Sequence, residues 1–150
     1  MKHRLLVFGD ASTVHTSRWI EGLSQSDKFE IHLLTMNPKP VHPEMKNHKL
    51  AGQHTVDTGV ISSNGGNLGY LKKVPQIRRL VREIKPELIS TLYLTSYGFV
   101  GALVHGSTKM VHYTLGSDIM ITPDRSFAHK CLTKFALGRS DFVVSSSQSM

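Results

Sequence analysis

The sequence predicts an α/β protein in which a parallel β-sheet is flanked by helices. Apolar segments of strand length alternate along the chain with amphipathic segments of helix length, a pattern typical of βαβ units. The first apolar segment, Leu5–Phe8, has four consecutive apolar residues, as expected of a parallel strand buried on both faces. At 150 residues, the chain has the length of one domain.

Six segments are predicted to be strands and four to be helices. The strand candidates are Leu5–Phe8, Glu30–Thr35, Thr55–Ile61, Glu87–Tyr93, Met110–Thr114 and Asp141–Ser145. The helix candidates are Thr16–Gln25, Val74–Lys85, Tyr97–His105 and Phe127–Leu137, and Thr13 or Thr16 is expected to cap the first of them. The proline-containing stretch Asn37–His54 and the Gly/Asn/Ser-rich stretch Ser62–Gly69 are predicted to be surface loops.

Periodicity predicts which residues of the later segments face the core. The second helix carries an apolar stripe made of Val74, Ile77, Val81 and Ile84. In the last helix, Phe127, Cys131 and Phe135 recur every four residues, so all three are expected to be buried, Cys131 as a small core residue. Asp141–Ser145 is typical of a buried strand. The serines after it are typical of a capped helix start, which predicts that the sequence is part of a longer protein.

The composition excludes several classes of protein. No apolar run approaches the roughly 18 residues that a membrane-spanning helix needs, and no secretory signal is recognisable. The single cysteine fits a cytoplasmic protein. The nine histidines show no metal-ligand spacing, so no metal site is predicted. No glycine-rich dinucleotide or phosphate-loop motif follows a strand, so no cofactor is expected.

The turn after the first strand is the leading candidate for a binding site. It consists of Gly9, Asp10, Ala11, Ser12 and Thr13, with His15 just beyond it. Open α/β sheets bind ligands at the carboxyl ends of their strands, and backbone N–H groups entering a helix can hold a phosphate or sugar oxygen. The alternatives are an ordinary turn between strand and helix, and a neutral His15 that packs at the helix start.

A second candidate turn, Gly116, Ser117 and Asp118, follows a later strand. Asp118 is the candidate catalytic residue of the chain, and the alternative is that its carboxylate orders the loop by accepting backbone N–H groups. The hydroxyls of Tyr93, Thr95 and Ser96 follow a further strand, where they either contact a ligand or pack at the strand end.

The formal net charge of +7 favours anionic partners. Part of this charge lies on and before the second helix, in Lys72, Lys73, Arg78, Arg82 and Lys85. These residues are candidates for contact with an anionic membrane or a charged acceptor, and the alternative is a solvated helix face. Nucleic acid is not the expected partner, because no helix-turn-helix or zinc-finger pattern accompanies the charge.

Three segments together resemble the N-terminal domain of GT-B glycosyltransferases, especially the retaining enzymes of glycosyltransferase family 4. The segment LLVFGDASTVHTSRWIEGL (5–23) is similar to that family's first strand, acceptor loop and helix. The segment MVHYTLGSDIMI (110–121) resembles its strand and Gly-Ser-Asp turn, and LGRSDFVVSSSQSM (137–150) resembles its arginine, aspartate, strand and serine segment. The three segments span most of the chain.

The resemblance implies a Rossmann-like half of a two-domain GT-B enzyme, the half that receives the acceptor. It implies transfer from a nucleotide-diphosphate sugar co-substrate to a glycan or lipid-linked acceptor, in polysaccharide biosynthesis, in the cytoplasm or at the inner face of the membrane. A C-terminal domain would hold the donor, so the isolated chain is expected to be inactive. Leu115 stands where many members carry a histidine. The alternative is a non-catalytic α/β binding or regulatory module with a basic surface.

Overall fold

A computed structural model describes residues 1–59 and 68–145 of the chain. Six parallel strands form one sheet in the order β3-β2-β1-β4-β5-β6. The strands are β1 (His3–Phe8), β2 (Phe29–Thr35), β3 (Gly52–Thr55), β4 (Leu88–Leu92), β5 (Lys109–Thr114) and β6 (Phe142–Ser145). The predicted fold class, a Rossmann-like parallel sheet flanked by helices, is confirmed.

The described ranges contain five α-helices between the strands, together with short segments of 3₁₀ and π-helix. The α-helices are α1 (Val14–Ser24), α2 (Val74–Ile84), α3 (Phe99–Val104), α4 (Ser117–Met120) and α5 (Phe127–Gly138). The 3₁₀ segments are Pro43–Asn47, Leu68–Lys73 and Thr122–Arg125, and Leu94–Gly98 is a π-helical turn. No helix within the described ranges is long and apolar enough to cross a membrane.

Strand β1 lies at the centre of the sheet and contributes to two separate hydrophobic clusters. Leu6 and Phe8 pack on one face with residues of α2 and α3, whereas Leu5 and Val7 pack on the other face with Ile20 of α1. All four strand residues are fully buried, as the apolar run predicts. The sheet therefore has a helix layer on each face of its central strand.

The ends of α1 and α2 follow from local chemistry. The Thr13 side chain accepts a hydrogen bond from the backbone N–H of Thr16, so Thr13 is the N-cap of α1. Helix α2 has Pro75 in its first turn and ends at Ile84; its C-cap Lys85, with a left-handed φ of 51°, terminates the helix before Pro86. Its predicted apolar stripe faces the core: Ile77, Val81 and Ile84 are buried and Val74 packs against the same cluster.

The segment between β2 and α2 differs from the prediction. The predicted loop Asn37–His54 contains a 3₁₀ helix and most of β3, while the predicted strand Thr55–Ile61 overlaps β3 only at Thr55. Pro43 begins the 3₁₀ helix and Met45 anchors it in the core beside α1. The polar sequence of β3 is tolerated because, among the described residues, β3 is an edge strand that pairs through its backbone with β2 alone. Most of the predicted loop Ser62–Gly69 lies outside the described residues, as do the serines after Ser145.

The prediction that α5 buries Phe127, Cys131 and Phe135 is wrong. Phe127 and Phe135 are 83% and 40% exposed, and Cys131 is also exposed. The four-residue period is present, but this helix turns its opposite side inward and buries Thr133 and Ala136.

The strand predicted at Asp141–Ser145 forms, as β6, but it is not buried. All four of its residues are exposed, Phe142 to 67%. Its position at the edge of the sheet gives the physical reason, because within residues 1–59 and 68–145 only β5 pairs with it. Apolar sequence alone does not distinguish a central strand from an edge strand.

Candidate functional site

The order of the strands reverses between β1 and β4. In open α/β sheets, a crevice forms at the carboxyl end of the strands at such a point, and ligands bind there. Three loops border it here: Gly9–Thr13 after β1, residues 93–98 after β4, and residues 115–118 after β5. We call this region the switch-point crevice. The two turns that the sequence predicts as binding loops both lie on it, separated by the loop after β4.

Gly9 lets the chain pass close to α1 at the end of β1. A Cβ atom at this position would lie 2.9 Å from both Cγ2 and Oγ1 of Thr16, closer than side-chain atoms normally approach. The loop that follows is ordered by Thr13, whose N–H and hydroxyl both donate to the backbone carbonyl of Asp10, at 3.1 and 3.0 Å. Gly9 is therefore required for the close strand-to-helix turn.

The Asp10 carboxylate joins the ends of β1 and β2. Its Oδ1 accepts hydrogen bonds from the N–H and hydroxyl of Ser12, at 2.9 and 2.6 Å. Its Oδ2 accepts one from the side-chain amide of Asn37, at 2.9 Å. A carboxylate offers about four lone-pair positions, so Asp10 retains capacity for one further donor, such as a ligand hydroxyl.

Sequence reasoning missed three residues that organise the crevice: Thr35, Asn37 and Tyr97. The Tyr97 hydroxyl accepts from the Met36 N–H at 3.1 Å and lies 3.4 Å from the Thr35 hydroxyl. Thr35 in turn accepts the N–H of Ala11 at 3.3 Å, so one network links the ends of β1, β2 and β4. Burial raises the pKa of Tyr97 to about 12. Thr35 and Asn37 could have been found, because they also stand where a strand ends.

Asp118 ties together the loops after β4 and β5. Its Oδ2 accepts the Leu94 N–H at 2.9 Å and its Oδ1 accepts the Leu115 N–H at 3.1 Å. The residue is 0% exposed. This arrangement fits the loop-ordering role that the sequence analysis weighed beside direct catalysis, and the catalytic assignment of Asp118 stays a prediction.

The rest of the second turn and His15 are accessible at the same edge. Gly116 has a φ of 98°, a conformation that side chains disfavour, so glycine is needed where α4 begins. Ser117 and His15 are exposed, and Ala11 is buried. Of the predicted binding residues, Asp10, Ser12 and Thr13 form the hydrogen-bonded turn, whereas His15 and Ser117 stand outside that network.

Tyr93 begins the loop after β4 in a strained backbone conformation. Its φ is 71°, and among the non-glycine residues of the described ranges only Lys85 also has a positive φ. The Tyr93 carbonyl accepts the Gly98 N–H at 3.0 Å, which closes the π-helical turn. The predicted helix Tyr97–His105 thus begins as this turn and becomes α3 only at Phe99. Residues with strained backbone conformations are frequently found at ligand-binding and active sites.

His112 is a buried histidine beneath this loop. Its Nδ1 is hydrogen-bonded to the Thr91 hydroxyl, and its Nε2 lies 3.0 Å from the carbonyl oxygen of Ala136, to which it donates. Burial is the main cause that lowers its pKa, so the ring is neutral near pH 7. It therefore serves to link β4, β5 and α5. No group of three or more metal-ligating side chains occurs in residues 1–59 and 68–145.

A match to a protein-family model identifies the family of this chain. The family model described as "Glycosyl transferase 4-like" matches residues 4–147. The chain belongs to this family. The three segments whose resemblance was recognised in the sequence all fall within or overlap the matched range. No curated protein matches the chain.

Solved structures similar to this glycosyl transferase 4-like chain include several UDP-N-acetylglucosamine 2-epimerases. One has a TM-score of 0.74 at 10% sequence identity, with 99% of this chain and 43% of that chain covered. The enzyme from Neisseria meningitidis, bound to UDP-GlcNAc, gives a TM-score of 0.67 at 11% identity, covering 99% and 41%. The Methanocaldococcus jannaschii enzyme, with UDP-GlcNAc and UDP, gives 0.68 at 16%, covering 97% and 40%. The chain thus shares their fold and spans less than half of their length.

The basic residues of this glycosyl transferase 4-like domain do not form one compact patch. Lys72 and Lys73 precede α2 at the carboxyl edge of the sheet, whereas Arg82 and Lys85 lie at the opposite end, where the Arg4 side chain bonds to the Ile84 carbonyl. Arg78 donates to the Leu103 carbonyl at 3.0 Å. Four of the five predicted residues are exposed, and Lys73 is partly buried.

Proposed function

We propose that this chain is the acceptor-side domain of a GT-B glycosyltransferase, which transfers a sugar from a nucleotide-diphosphate donor to a hydroxyl of a glycan or lipid-linked acceptor. The observation that carries the proposal is the position of the switch-point crevice within a chain that matches the glycosyl transferase 4-like family over residues 4–147. The similar structures named above act on or bind UDP-sugars, which supports a nucleotide-sugar substrate.

The acceptor hydroxyl is expected to bind at the turn after β1. Asp10 has one lone-pair position left after its three hydrogen bonds, and it lies beside the N-terminal end of α1. An acceptor held there is oriented by groups that are already fixed by their own hydrogen bonds. Such positioning is a main source of rate acceleration when no protein nucleophile takes part, as in the retaining mechanism that we propose.

A second domain is expected to complete the enzyme. The chain covers 40–43% of the length of the similar epimerases, so it has no counterpart to more than half of their length. We propose that a second domain, corresponding to that remaining part, holds the donor, and that residues 1–150 alone do not turn over.

The test compares two aspartate variants in the full-length enzyme. In Asp10→Asn an amide NH₂ replaces one of the oxygens that now accept hydrogen bonds, so one partner is lost and the turn shifts. We expect kcat/KM for release of the nucleoside diphosphate, with a panel of nucleotide sugars and hydroxyl acceptors, to fall about a hundredfold. The matched control is Asp27→Asn, because Asp27 is an exposed residue with one long ion pair to Lys2, at 3.8 Å.

Three outcomes would contradict the proposal. One is equal activity of Asp10→Asn and the parent enzyme, and a second is turnover by residues 1–150 alone. The third is conversion of the nucleotide sugar to its epimer without release of nucleoside diphosphate, which would place the chain in an epimerase instead.

We also propose that the C-terminal end of α2, which carries Arg82 and Lys85, contacts anionic lipid at the inner face of the membrane; Lys72 and Lys73 lie at the other end of the helix and are not part of this surface. Arg82 and Lys85 are exposed and form no ion pair with another described residue.

The domain is therefore expected to float with phosphatidylglycerol vesicles at low salt and not with phosphatidylcholine vesicles. The variant Arg82→Glu/Lys85→Glu should lose this binding, whereas the control Lys130→Glu/Lys134→Glu on α5, with the same change in net charge, should keep it. Equal loss in both variants would indicate a response to net charge alone.

A further inference from the structure

A short segment of the chain, residues 37–42 (NPKPVH), lies beside the turn after β1 and is fastened to that turn at both ends. The Asn37 side-chain amide donates to the Asp10 carboxylate at 2.9 Å. The His42 N–H donates to the Ala11 carbonyl at 2.8 Å. We call this segment the strap. It borders the place where the acceptor hydroxyl of the proposed reaction binds.

Lys39 stands in the middle of the strap between two prolines. Pro38 and Pro40 each have a fixed φ, and a residue that precedes proline is restricted to extended backbone conformations. The Lys39 N–H also donates to the Asn37 side-chain oxygen at 3.1 Å. The Asn37 side chain therefore connects the Lys39 backbone to the Asp10 carboxylate through two hydrogen bonds. The backbone that carries this cation is thus fixed relative to the turn before any ligand binds.

The Lys39 ammonium group is available to a ligand. Lys39 is exposed, and it forms no ion pair with any side chain in residues 1–59 and 68–145. The two acidic residues that flank the strap have other partners. Asp10 accepts three hydrogen bonds, and the Glu44 carboxylate lies 4.0 Å from the His42 ring. A ligand with a negative charge can therefore reach Lys39 without displacing an existing ion pair.

Further positive charge follows the strap along α1. The His48 ring is hydrogen-bonded to the Ser17 hydroxyl at 2.9 Å, which places this part of the chain beside the helix. Three cations, Arg18, Lys46 and Lys49, are exposed here and form no ion pair with other residues that the structure describes. A surface with such an excess of one sign attracts ligands of the opposite charge. The region beside the acceptor turn therefore favours an anion.

We propose that Lys39 binds a phosphate group carried by the acceptor, close to the hydroxyl that Asp10 receives. A lysine ammonium is a point charge that suits a phosphate oxygen, whereas planar carboxylates are better matched by the fork of arginine. The inference rests on the proposed function, because it assigns the substrate class of the same site. It narrows the acceptor to a phosphorylated sugar, either free or linked to lipid. Lys39 is thus a specificity-determining residue.

The experiment compares acceptors with and without a phosphate in the full-length enzyme. Methyl glycosides and the corresponding sugar 1-phosphates form soluble pairs, and alkyl esters of the same sugar phosphates in neutral detergent micelles are the lipid-linked arm. We expect Lys39→Gln to raise KM for the phosphorylated acceptors at least about tenfold, with kcat changed less than about twofold. KM for the methyl glycosides should stay the same. The lower KM of the two phosphorylated forms identifies the source of the phosphate.

Two further variants test the role of the charge. Lys39→Arg keeps a cation at the same position and should bring KM back to within about threefold of the parent value. Lys28→Gln removes an exposed lysine at the opposite edge of the sheet, where the His3 N–H donates to the Lys28 carbonyl, and should leave every KM unchanged. The inference is overturned if Lys39→Gln raises KM equally for neutral and phosphorylated acceptors, because Lys39 would then act only through the Asp10 turn. It is also overturned if neither KM changes.

A binding measurement separates this inference from the proposed function. The 150-residue chain, labelled with ¹⁵N, is titrated with the sugar 1-phosphates, and the backbone N–H signals are followed by NMR. The signals of Ala11, Asn37 and Lys39 should shift and saturate in the parent chain and not in Lys39→Gln. If the enzyme transfers no sugar but this binding occurs, the proposed function fails and the phosphate site stands. If sugar passes only to neutral acceptors and no binding occurs, the phosphate site fails and the proposed function stands.

Discussion

The hydroxyl of Tyr97 connects three strands at the carboxyl edge of the sheet. It accepts the Met36 N–H after β2 and contacts the Thr35 hydroxyl, which accepts the Ala11 N–H after β1. Tyr97 itself follows β4 and is only 5% exposed. Removing one partner of such a buried network leaves the other groups unsatisfied, which costs more than the bond itself contributes.

Tyr97→Phe is therefore expected to lower the free energy of unfolding by about 1–3 kcal/mol, because the buried Met36 N–H loses its acceptor. Urea denaturation followed by circular dichroism measures the change. The control is Tyr113→Phe: Tyr113 stacks on Trp19, and its hydroxyl makes no hydrogen bond with the part of the chain that the structure describes. Equal destabilisation by the two variants would show that the Tyr97 network contributes nothing specific.

The same residue shows where prediction from sequence stops. The sequence points to Gly9, Asp10 and Asp118 as candidates, because glycine and short acidic residues directly after a strand are visible in it. The sequence places Tyr97 in a helix, because a π-helical turn and an α-helix have similar apolar spacing. Its contact with Met36 joins residues 61 positions apart, and no local pattern encodes that distance.

At the scale of elements, β6 exposes an apolar edge. Val143 is 47% exposed, and in the part of the chain that the structure describes its strand pairs with β5 on one side only. Exposed apolar edge strands promote association with other chains. The bounds of β1, β2, β4 and β5 follow from the sequence to within one residue or two, but burial at β6 does not, because it depends on what lies beside the strand. The same holds for Phe127 on α5.

Val143→Lys is expected to reduce self-association of the 150-residue chain at high concentration, because a charge on an edge strand opposes pairing with a second copy. Static light scattering over a concentration series measures this, and urea denaturation should show a change of less than about 0.5 kcal/mol. Ser24→Lys, which adds the same charge at the end of α1, is the control. If both variants reduce association equally, net charge rather than the β6 edge is responsible.

For the whole molecule, the shifted groups predict how stability depends on pH. His112 and His54 have lowered pKa values, mainly through burial. When the pH falls below the ordinary histidine pKa of 6.5, these two side chains therefore take up protons in the unfolded chain before they do so in the folded chain. Tyr97, whose pKa is raised to about 12, and Tyr70 keep their protons in the folded state above pH 10.0, where the unfolded chain loses them. The free energy of unfolding therefore decreases both when the pH falls below about 6.5 and when it rises above about 10.

We expect the free energy of unfolding to be greatest between about pH 6.5 and 10. Outside this range, each proton that is bound in only one of the folded and unfolded states changes the free energy of unfolding by at most about 1.4 kcal/mol per pH unit. Urea denaturation between pH 4 and 11, with EDTA present, tests this. His54→Gln should make the acid slope shallower, and Tyr97→Phe should do the same for the alkaline slope. A curve that is flat from pH 4.5 to 6.5 would contradict the buried neutral state of the histidines.

The apolar run of β1 has a consequence for the register of the central strand. Leu5–Phe8 is apolar on both faces, so a shift by one residue would exchange the two cores and still bury apolar side chains. Hydrophobic patterning therefore does little to prevent such a slip. A shift would instead move Gly9 away from Thr16 and separate Asp10 from Asn37. The loop after β1, which borders the crevice, thus also fixes the register of β1 in the sheet. A single-residue insertion in β1 is therefore expected to disrupt both the fold and the site.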